Sequence, residues 1–528
     1  MGEMGTEAGT LFENLDAFDE IQEEAVSACG QDSPLGQLPA LEPDMPFNPF
    51  LAKDQHIHGL YELLKTILLL PICVARLMVI LLCILFAYLF SKVALVGAKD
   101  WVQNPLPKWR RKMLWPIRWV ARLILFSCGF HWIKIKGRSF PREQAPVLVC
   151  NHVTFVEPLL IFFKHLPVIV TAQENVDMPV VGAVMRAIQV IAVKRDGPDS
   201  RRVAAAEIKR RAMCNDWNPV LIFPEGTTTN GKVIISFKNG AFKPGLTVQP
   251  IVVKYPYVHL DPSWVAHGIS IYYLLFRLTT QFHNCLEVEY LSVVAPTWKE
   301  QKSPRDFAKR VQTNMAQALN VMVSEHSFED GALLMEALKW KDFSGGASVE
   351  FGWFELVYKL KLREAKHYLR KFHCLDVENK GNVTFDEFLN SLELPNCPPL
   401  EQTFFLFDRT RRGYINFRQY LATLAFISRH KNFRGMLEAI FILLDKDKDG
   451  LLSEEETVQS LRDVIPSVTA EQAEKLWEKV NKQKDHFINK MEMFSFLQSN
   501  PEYVAVLVVA KPDLVWNSRT RIEETWGT

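Results

Sequence analysis

The sequence has little of what zinc-binding, disulfide-rich or nucleic-acid-binding proteins need. Its nine cysteines are scattered and form no Cys-x-x-Cys pair. This argues against a zinc site and a dense disulfide framework, and it is typical of a reducing compartment. The formal net charge is only +1, so no overall positive field favours nucleic acid. With 528 residues, 48% of them hydrophobic, the chain is long enough for two or three folded units.

Lysine and arginine are absent from residues 1–52, which contain eleven Asp and Glu residues and several Pro and Gly residues. A segment of this composition cannot bury enough apolar surface to fold. We therefore expect 1–52 to be an acidic, disordered tail.

The apolar segment Thr66–Phe90 has 25 residues and is interrupted by Pro71 and Arg76. About 20 residues are enough to span a bilayer, but a charge at mid-depth is costly, so a transmembrane helix and a re-entrant hairpin both stay open. Basic residues follow it between 92 and 112, and the positive-inside rule therefore predicts a cytosolic downstream side. We expect a membrane-associated segment over 60–135, on an endomembrane such as the endoplasmic reticulum, Golgi or endosome.

A second apolar stretch, Trp115–Trp132, carries Arg118 and Arg122 at helical spacing. It is too short and too charged for a comfortable span. We expect an amphipathic helix in the membrane interface, with the two arginines meeting lipid phosphates. The alternative is a core helix of the next domain.

Short β-rich runs alternate with helical patterns across 140–330, which indicates an α/β domain with a mostly parallel sheet flanked by helices. The predicted strands are Val147–Cys150, Val168–Thr171, Val190–Val193, Val220–Phe223, Val248–Val253 and Leu286–Leu291. The predicted helices include Pro158–His165, Asp199–Met213 and Pro304–Ser324.

The first of these strands ends at His152, and Glu157 and Pro158 follow closely. Pro158 suits the first position of a helix, so His152 and Glu157 lie on a strand-to-helix turn, where α/β sheets usually place chemistry. A carboxylate that keeps one imidazole nitrogen protonated leaves the other free to accept a proton from a hydroxyl. The pair is a candidate general base with its orienter. The alternative is a turn histidine capped by a nearby acid.

Two further strand ends carry groups suited to phosphate. Phe223 precedes Pro-Glu-Gly-Thr-Thr-Thr-Asn, in which Gly226 allows close backbone approach and the threonine hydroxyls are short donors. The strand near Val193 continues into Lys194 and Arg195, and an arginine there can hold a phosphate bidentately. The phrase after Phe223 alone also fits a polar turn at a strand end.

In this order, these phrases and the proline-containing strand Val248–Val252 resemble four blocks of the glycerolipid acyltransferase superfamily. Asn151–Pro158 and Pro224–Phe237 are similar to plant-type lysophosphatidylethanolamine acyltransferases that carry EF-hands. The resemblance implies that His152 is the general base and Glu157 its orienter. It implies substrate phosphate contacts from Arg195, Glu225, Gly226, Thr227 and Thr228. The chain departs from the commoner pattern, which has Asp where this chain has Glu157 and often an acid where it has Lys194.

The implied enzyme is an acyl-CoA-dependent lysophospholipid acyltransferase of EC class 2.3.1. It would transfer an acyl chain to the sn-2 hydroxyl of a membrane lysophospholipid, with lysophosphatidylethanolamine favoured over lysophosphatidylcholine, and would need no catalytic metal. Its partners would be lipids and acyl-CoA rather than nucleic acid. Two alternatives stay open. One is an acyltransferase that acts on lysophosphatidate or glycerol 3-phosphate, and the other is a calcium-responsive membrane adaptor with an inactive acyltransferase domain.

Residues 350–500 change to charged, helical sequence with acidic loops, and Asp445–Glu456 matches an EF-hand loop. Its side-chain and carbonyl ligands to regulatory Ca²⁺ would be Asp445, Asp447, Asp449, Leu451 and Glu456. Three weaker loops, 376–387, 408–419 and 481–492, have Lys380, Arg412 and His486 at positions that calcium binding needs. We expect them to be structural partners in an all-α EF-hand domain on the cytosolic side.

Overall fold

The computed structural model describes residues 48–97, 103–194, 200–265, 268–340, 349–430, 432–481 and 486–511. The predicted acidic tail lies outside the described residues except for 48–52, and Arg195 also lies outside them. The chain divides into two compact units, one of Pro46–Gly331 and one that contains Ala332–Thr528.

The first unit is built on a central sheet. Its strands are β1 (Ile133–Gly137), β2 (Val147–Cys150), β3 (Val168–Ala172), β4 (Ile191–Val193), β5 (Val220–Ile222), β6 (Val233–Ile234), β7 (Val248–Lys254), β8 (Leu286–Tyr290) and β9 (Met322–Val323). Seven of them form one sheet in the order β1-β8-β7-β2-β5-β3-β4, and β6 and β9 form a separate parallel pair. Within the described sheet, β7 and β8 are antiparallel and the other neighbours are parallel. The predicted α/β core with a mostly parallel sheet is confirmed.

The sheet core explains why the strand predictions succeed. Every residue of β2 and β5 is buried, as expected for the centre of a parallel sheet that is covered on both faces. Side chains alternate between the faces, so Leu148 and Cys150 belong to one apolar cluster and Val147 and Val149 to another. The edge strand β1 was not predicted, because its Ile-Lys-Ile-Lys-Gly sequence is short and mostly exposed.

The helices of this unit are α1 (Gly59–Leu95), α2 (Lys108–Met113), α3 (Trp115–Ser127), α4 (Val156–His165), α5 (Gln173–Asp177), α6 (Val181–Ala187), α7 (Ser200–Met213), α8 (Ile271–Thr279), α9 (Trp298–Lys302) and α10 (Pro304–Leu319). Two differ from the predicted bounds. Helix α4 begins at Val156, so the prediction that Pro158 is its first residue is wrong, and α10 ends at Leu319 because Asn320 adopts a left-handed conformation, with φ +56°.

Helix α1 has 37 residues, and within the described residues it is the one helix long and apolar enough to cross a membrane by length and composition. It is one continuous helix rather than a hairpin, and Pro71 lies inside it. Its buried residues recur every three or four positions over nearly its full length, and it packs on α3, α6 and α8. Arg76 donates to the carbonyl oxygens of Thr279 and Gln281, 2.9 and 2.7 Å away. The carbonyl oxygens at the C-terminal end of α8 therefore stabilise the positive charge of Arg76.

The two arginines of α3 also bind within the protein. Arg118 donates to the carbonyl oxygens of Phe163 and Lys164, at the end of α4. Arg122 donates to the carbonyl oxygens that follow α3. The predicted contact of these arginines with lipid phosphates is not what the structure contains, because both guanidinium groups donate to backbone carbonyls of the protein. The outward face of α3 instead exposes Trp115, Trp119, Leu123 and Phe126.

The second unit consists of helices joined by short loops. A helix that contains the boundary, α11 (Phe328–Ala337), is followed by α12 (Phe351–Tyr358), α13 (Leu362–Leu375), α14 (Phe385–Leu392), α15 (Pro398–Phe407), α16 (Phe417–Ser428), α17 (Phe433–Leu444), α18 (Glu454–Val464), α19 (Ala470–Val480), α20 (Lys490–Ser499) and α21 (Pro501–Ala510). The loops pair through short antiparallel strands, β10 (Asn382–Thr384) with β11 (Tyr414–Asn416) and β12 (Leu451–Ser453) with β13 (Phe487–Asn489). Each of these strands runs directly into a helix that starts with a capping box.

Candidate functional site

The candidate site lies where β2 ends, in the middle of the sheet. The Asn151 side chain fixes this turn to β7, since its Oδ1 accepts from Val253 N at 2.8 Å and its Nδ2 donates to Val253 O at 2.9 Å. His152 follows immediately, and Glu157 lies in the first turn of α4. The predicted strand-to-helix position of the pair is therefore what the structure contains.

His152 and Glu157 contact each other directly. His152 Nδ1 is 3.1 Å from Glu157 Oε2, and the carboxylate, which is fully buried, also accepts from the backbone N–H groups of Val153 and Thr154. The imidazole stacks on the Phe223 ring, with 4.2 Å between centroids, and its side chain is 21% exposed. With Nδ1 on the carboxylate, the proton belongs on that nitrogen, and the lone pair of Nε2 is free to accept one.

Tyr255 completes this arrangement, and the sequence patterns did not indicate it. Its hydroxyl donates to Glu157 Oε1 over 2.6 Å, and the residue is buried. Burial, together with the nearby Glu157 carboxylate, raises the pKa of Tyr255 well above its usual value. The phenol therefore stays a neutral donor, and the pair predicted from the sequence is a triad in the structure.

Glu225 lies at the end of β5 and contacts the backbone of His152. It is fully buried, and its carboxyl accepts from His152 N at 2.9 Å and from Thr229 Oγ1 at 3.4 Å. Thr229 N in turn donates to His152 O. The predicted direct contact between Glu225 and a substrate phosphate does not agree with this burial, because the carboxyl has no open surface. Its contacts give it the role of holding His152 in place.

The turn after Glu225 requires a glycine. Gly226 has φ +73°, and a Cβ there would lie 3.1 Å from the Lys238 side chain. Gly226 is exposed and Thr227 is half-buried, whereas the Thr228 hydroxyl donates to Trp264 O. The structure thus brings His152, Glu157 and the 225–229 turn together, whereas Arg195 is outside the described residues.

Two distant segments support this turn and were also missed. Asn230 donates from its backbone to Pro49 O at 2.8 Å, and from its side chain to Asn48 O and Leu51 O, both at 2.9 Å. Trp264 N donates to Val153 O at 2.8 Å, directly beside His152. These contacts join residues far apart in the chain, so no local pattern could have indicated them.

Comparison with known proteins decides the family. The family model described as Acyltransferase matches residues 133–254, which hold β1 to β7, His152, Glu157 and the turn 225–230, whereas Tyr255 lies just beyond the match. The chain is 37% identical to the lysophospholipid acyltransferase LPEAT2 of Arabidopsis thaliana, over 91% of this chain and 89% of that protein. The chain belongs to the lysophospholipid acyltransferases. Lysophosphatidylcholine acyltransferase 2 of Mus musculus is 33% identical over 78% of this chain and 76% of its own length. Lysophosphatidylcholine acyltransferase 1 of Danio rerio is 30% identical over 87% and 88%. The family predicted from the sequence is confirmed, and the protein is an acyl-transferring enzyme.

In this lysophospholipid acyltransferase, the environment of Glu225 leads to a pH prediction. Burial raises the pKa of Glu225 from 4.5 to about 8, and the nearby Glu157 carboxylate adds to the rise. Between these pH values the folded protein holds a proton that the unfolded chain has released, so its stability falls as the pH rises through this window. A Glu225→Gln variant has a neutral amide and should lose that dependence. We expect its melting temperature to match that of the wild type near pH 5. At pH 8 it should exceed that of the wild type by about 2–4 °C for each kcal/mol of unfolding free energy that the substitution recovers.

Thermal melting of both proteins between pH 5 and pH 8 measures this difference. Glu143→Gln, which removes a carboxylate from an exposed position, is the matched control and should keep the wild-type pH dependence. An identical pH dependence in Glu225→Gln and the wild type would contradict the prediction.

The second unit of this acyltransferase contains an acidic loop between α17 and α18. One oxygen each of Asp445, Asp447 and Asp449 lies within 4.8 Å of the others. Asp445 is 8% exposed, and its Oδ1 is buried without a hydrogen-bond partner among the described residues. Glu456 reaches back into the same loop, where its Oε1 accepts from Asp447 N at 3.3 Å. Oxygen donors that converge on one point, one of them unsatisfied, fit a hard divalent cation.

The two loops of the other pair are closed by the backbone instead. Asp376 accepts from the N–H groups of Lys380 and Gly381, at 2.9 and 2.6 Å. Asp408 accepts from those of Arg412 and Gly413, at 3.1 and 2.7 Å. In both loops, the first carboxylate uses both oxygens within the protein, which distinguishes them from the Asp445 loop.

Proposed function

We propose that this enzyme transfers the acyl group of acyl-CoA to the sn-2 hydroxyl of a lysophospholipid, with lysophosphatidylethanolamine favoured and lysophosphatidylcholine a further substrate. The observation that carries the proposal is the contact between His152 Nδ1 and Glu157 Oε2, which leaves Nε2 free to accept a proton just beyond the end of β2. The names of the relatives, a plant lysophospholipid acyltransferase and lysophosphatidylcholine acyltransferases, support the substrate class.

His152 acts as the general base in this proposal. Its Nε2 accepts the proton of the lipid hydroxyl as the oxygen attacks the thioester carbonyl carbon of acyl-CoA. The tetrahedral intermediate then collapses, the carbon–sulfur bond breaks, and the coenzyme A thiolate takes the proton from the imidazolium. Glu157 orients the ring and stabilises its positive charge. The reaction needs no covalent enzyme intermediate and no catalytic metal.

In this proposal, the substrate phosphate binds at the turn after β5, next to this base. The Thr227 hydroxyl and the backbone N–H groups of Thr227 and Thr228 are suited to phosphate oxygens, and Gly226 allows close backbone approach. We propose that Arg195 adds a bidentate contact. Glu225 does not contact the phosphate in this proposal. Its buried carboxyl stabilises the turn by accepting hydrogen bonds from His152 N and Thr229 Oγ1.

A substrate panel tests the proposal. Purified enzyme with one acyl-CoA is given lysophosphatidylethanolamine, lysophosphatidylcholine, lysophosphatidate or glycerol 3-phosphate, and the released thiol is measured. We expect the fastest release with lysophosphatidylethanolamine. Faster release with lysophosphatidate or glycerol 3-phosphate would assign the enzyme to those acceptors, and no release with any acceptor would favour an inactive membrane adaptor.

We propose further that the enzyme associates with an endomembrane through α1 and α3. Helix α1 packs one face on the rest of the first unit. Its other side exposes large apolar side chains, including Leu68, Leu81 and Leu82. The outward tryptophans of α3 add an aromatic surface of the kind that settles at headgroup level. The basic residues after α1 favour a cytosolic position for the catalytic unit.

The second unit is proposed to be an EF-hand domain that binds regulatory Ca²⁺. Asp445, Asp447, Asp449 and Glu456 supply carboxylate oxygens, and Leu451 supplies its carbonyl. The unsatisfied Oδ1 of Asp445 supports this assignment. The other helix–loop–helix units act as structural partners.

A further inference from the structure

Tyr255 is the one side chain, among those the structure describes, that binds Glu157 besides His152. It lies just beyond β7, and the double hydrogen bond between Asn151 and Val253 fixes the end of that strand beside the His152 turn. The Tyr255 ring meets Phe130 edge to face, with 6.1 Å between centroids. The hydroxyl therefore approaches Glu157 from the end of a strand that is bonded to the His152 turn, although 98 residues separate the two in sequence.

The two carboxylate oxygens of Glu157 have different side-chain partners. Oε1 receives the Tyr255 hydroxyl at 2.6 Å, whereas Oε2 faces His152 Nδ1 at 3.1 Å. The backbone N–H of Thr154 lies 3.1 Å from both oxygens and so does not discriminate between them. A glutamate side chain also has one more rotatable bond than an aspartate, so its carboxylate needs more contacts to hold one orientation. The backbone N–H of Val153 also binds Oε1, at 3.3 Å, and the Tyr255 hydroxyl is the shorter of the two contacts that favour one rotation of the carboxylate.

We propose that Tyr255 is a positioning residue of the catalytic pair, whose hydroxyl holds Glu157 so that Oε2 stays on His152 Nδ1. The inference rests on the proposed role of His152 as general base. Tyr255 touches neither substrate in this scheme and acts through the carboxylate. Because the phenol is buried beside a carboxylate, it remains protonated and donates throughout the working pH range.

Tyr255→Phe tests the inference, since it removes the hydroxyl and keeps the ring. Hydrogen bonds to charged groups are strong, so we expect kcat to fall about 10- to 100-fold while KM for acyl-CoA and lysolipid changes less than about twofold. Loss of a donor also leaves more negative charge facing the imidazole. The acid limb of the kcat/KM profile should therefore move to higher pH, which a purely structural role would not produce.

Tyr290→Phe is the matched control. Tyr290 is also buried, and its hydroxyl bonds His165 Nε2 at 2.8 Å, away from Glu157. This variant should keep the wild-type rate and pH profile while it reports the stability cost of removing a buried phenol hydroxyl. Equal losses of rate in the two variants would overturn the inference.

A second measurement compares the effect of Tyr255→Phe on the rate in the wild-type enzyme and in a Glu157→Asp enzyme. The shorter aspartate cannot reach both Tyr255 and His152, so adding Tyr255→Phe to it should change the rate less than twofold. The same 10- to 100-fold loss in both backgrounds would overturn the coupling. Failure of the general-base proposal is distinguishable, because it would appear as acyl transfer that survives in His152→Ala. Failure of the Tyr255 inference would appear as a wild-type rate in Tyr255→Phe when His152→Ala is inactive.

Discussion

A His152→Ala variant is expected to transfer acyl chains about 10²- to 10⁴-fold more slowly than the wild type, which is the usual contribution of a general base. Water, a much weaker base, would then have to accept the proton of the lipid hydroxyl as the oxygen attacks the thioester. The loss should appear in kcat, measured as thiol released from acyl-CoA in the presence of lysolipid. KM values should change little, because the phosphate and acyl contacts stay in place.

Two measurements separate lost chemistry from lost structure. Flotation with lipid vesicles should show wild-type membrane binding for His152→Ala, since α1 and α3 are unchanged. His56→Ala, at an exposed histidine of the same unit, should keep the wild-type rate. A His152→Ala enzyme that retained more than a tenth of the wild-type kcat would show that another group takes the proton.

Glu456→Gln is expected to weaken calcium binding by at least about 100-fold, because it replaces the bidentate carboxylate of the loop with an amide. We expect the wild type to bind one Ca²⁺ with a Kd of about 10⁻⁷–10⁻⁵ M, the range of sensor loops. The amide oxygen of the substituted side chain can still accept from Ser453 N, so helix α18 should keep its cap. Calorimetry on the full-length protein in detergent measures both affinities.

The matched control is Glu455→Gln, which removes the same charge from the adjacent, exposed residue. It should bind Ca²⁺ like the wild type. If the wild type took up no Ca²⁺ at millimolar concentration, or if the two variants lost affinity equally, the proposed ligand set would be wrong. Any calcium dependence of acyl transfer should disappear in Glu456→Gln and persist in Glu455→Gln.

Local features of the chain predicted much of the catalytic unit. Buried β-branched runs such as Val147–Cys150 indicate central strands, because few other environments accept continuous apolar sequence of that length. The turn from β2 to α4 brings His152 and Glu157 together within five residues, so their contact follows from local geometry. Both inferences depend on neighbours in sequence, where patterns are informative.

The sequence could not indicate contacts that the fold creates over long distances. Tyr255 meets Glu157 only because β7 lies beside β2 in the sheet. Glu225 looked like a phosphate ligand in its turn, and only the packing around β5 shows that its carboxyl is enclosed. Likewise, Arg118 and Arg122 have the spacing of an interfacial helix, yet both donate to backbone carbonyl oxygens of the protein. Residue type and spacing do not tell which partner a long cationic side chain will find.

The seam between α1 and the catalytic unit has a practical consequence for making this enzyme water-soluble. An anchor joined by a linker can be cut away, but this helix forms one wall of the folded unit, from Glu62 to Ala94. Its removal would expose the surfaces of α3, α6 and α8 that pack on it. It would also leave the carbonyl groups bound by Arg76 without that donor. Engineering for crystallisation or detergent-free assays should therefore keep the backbone of α1 and replace outward leucines with polar residues.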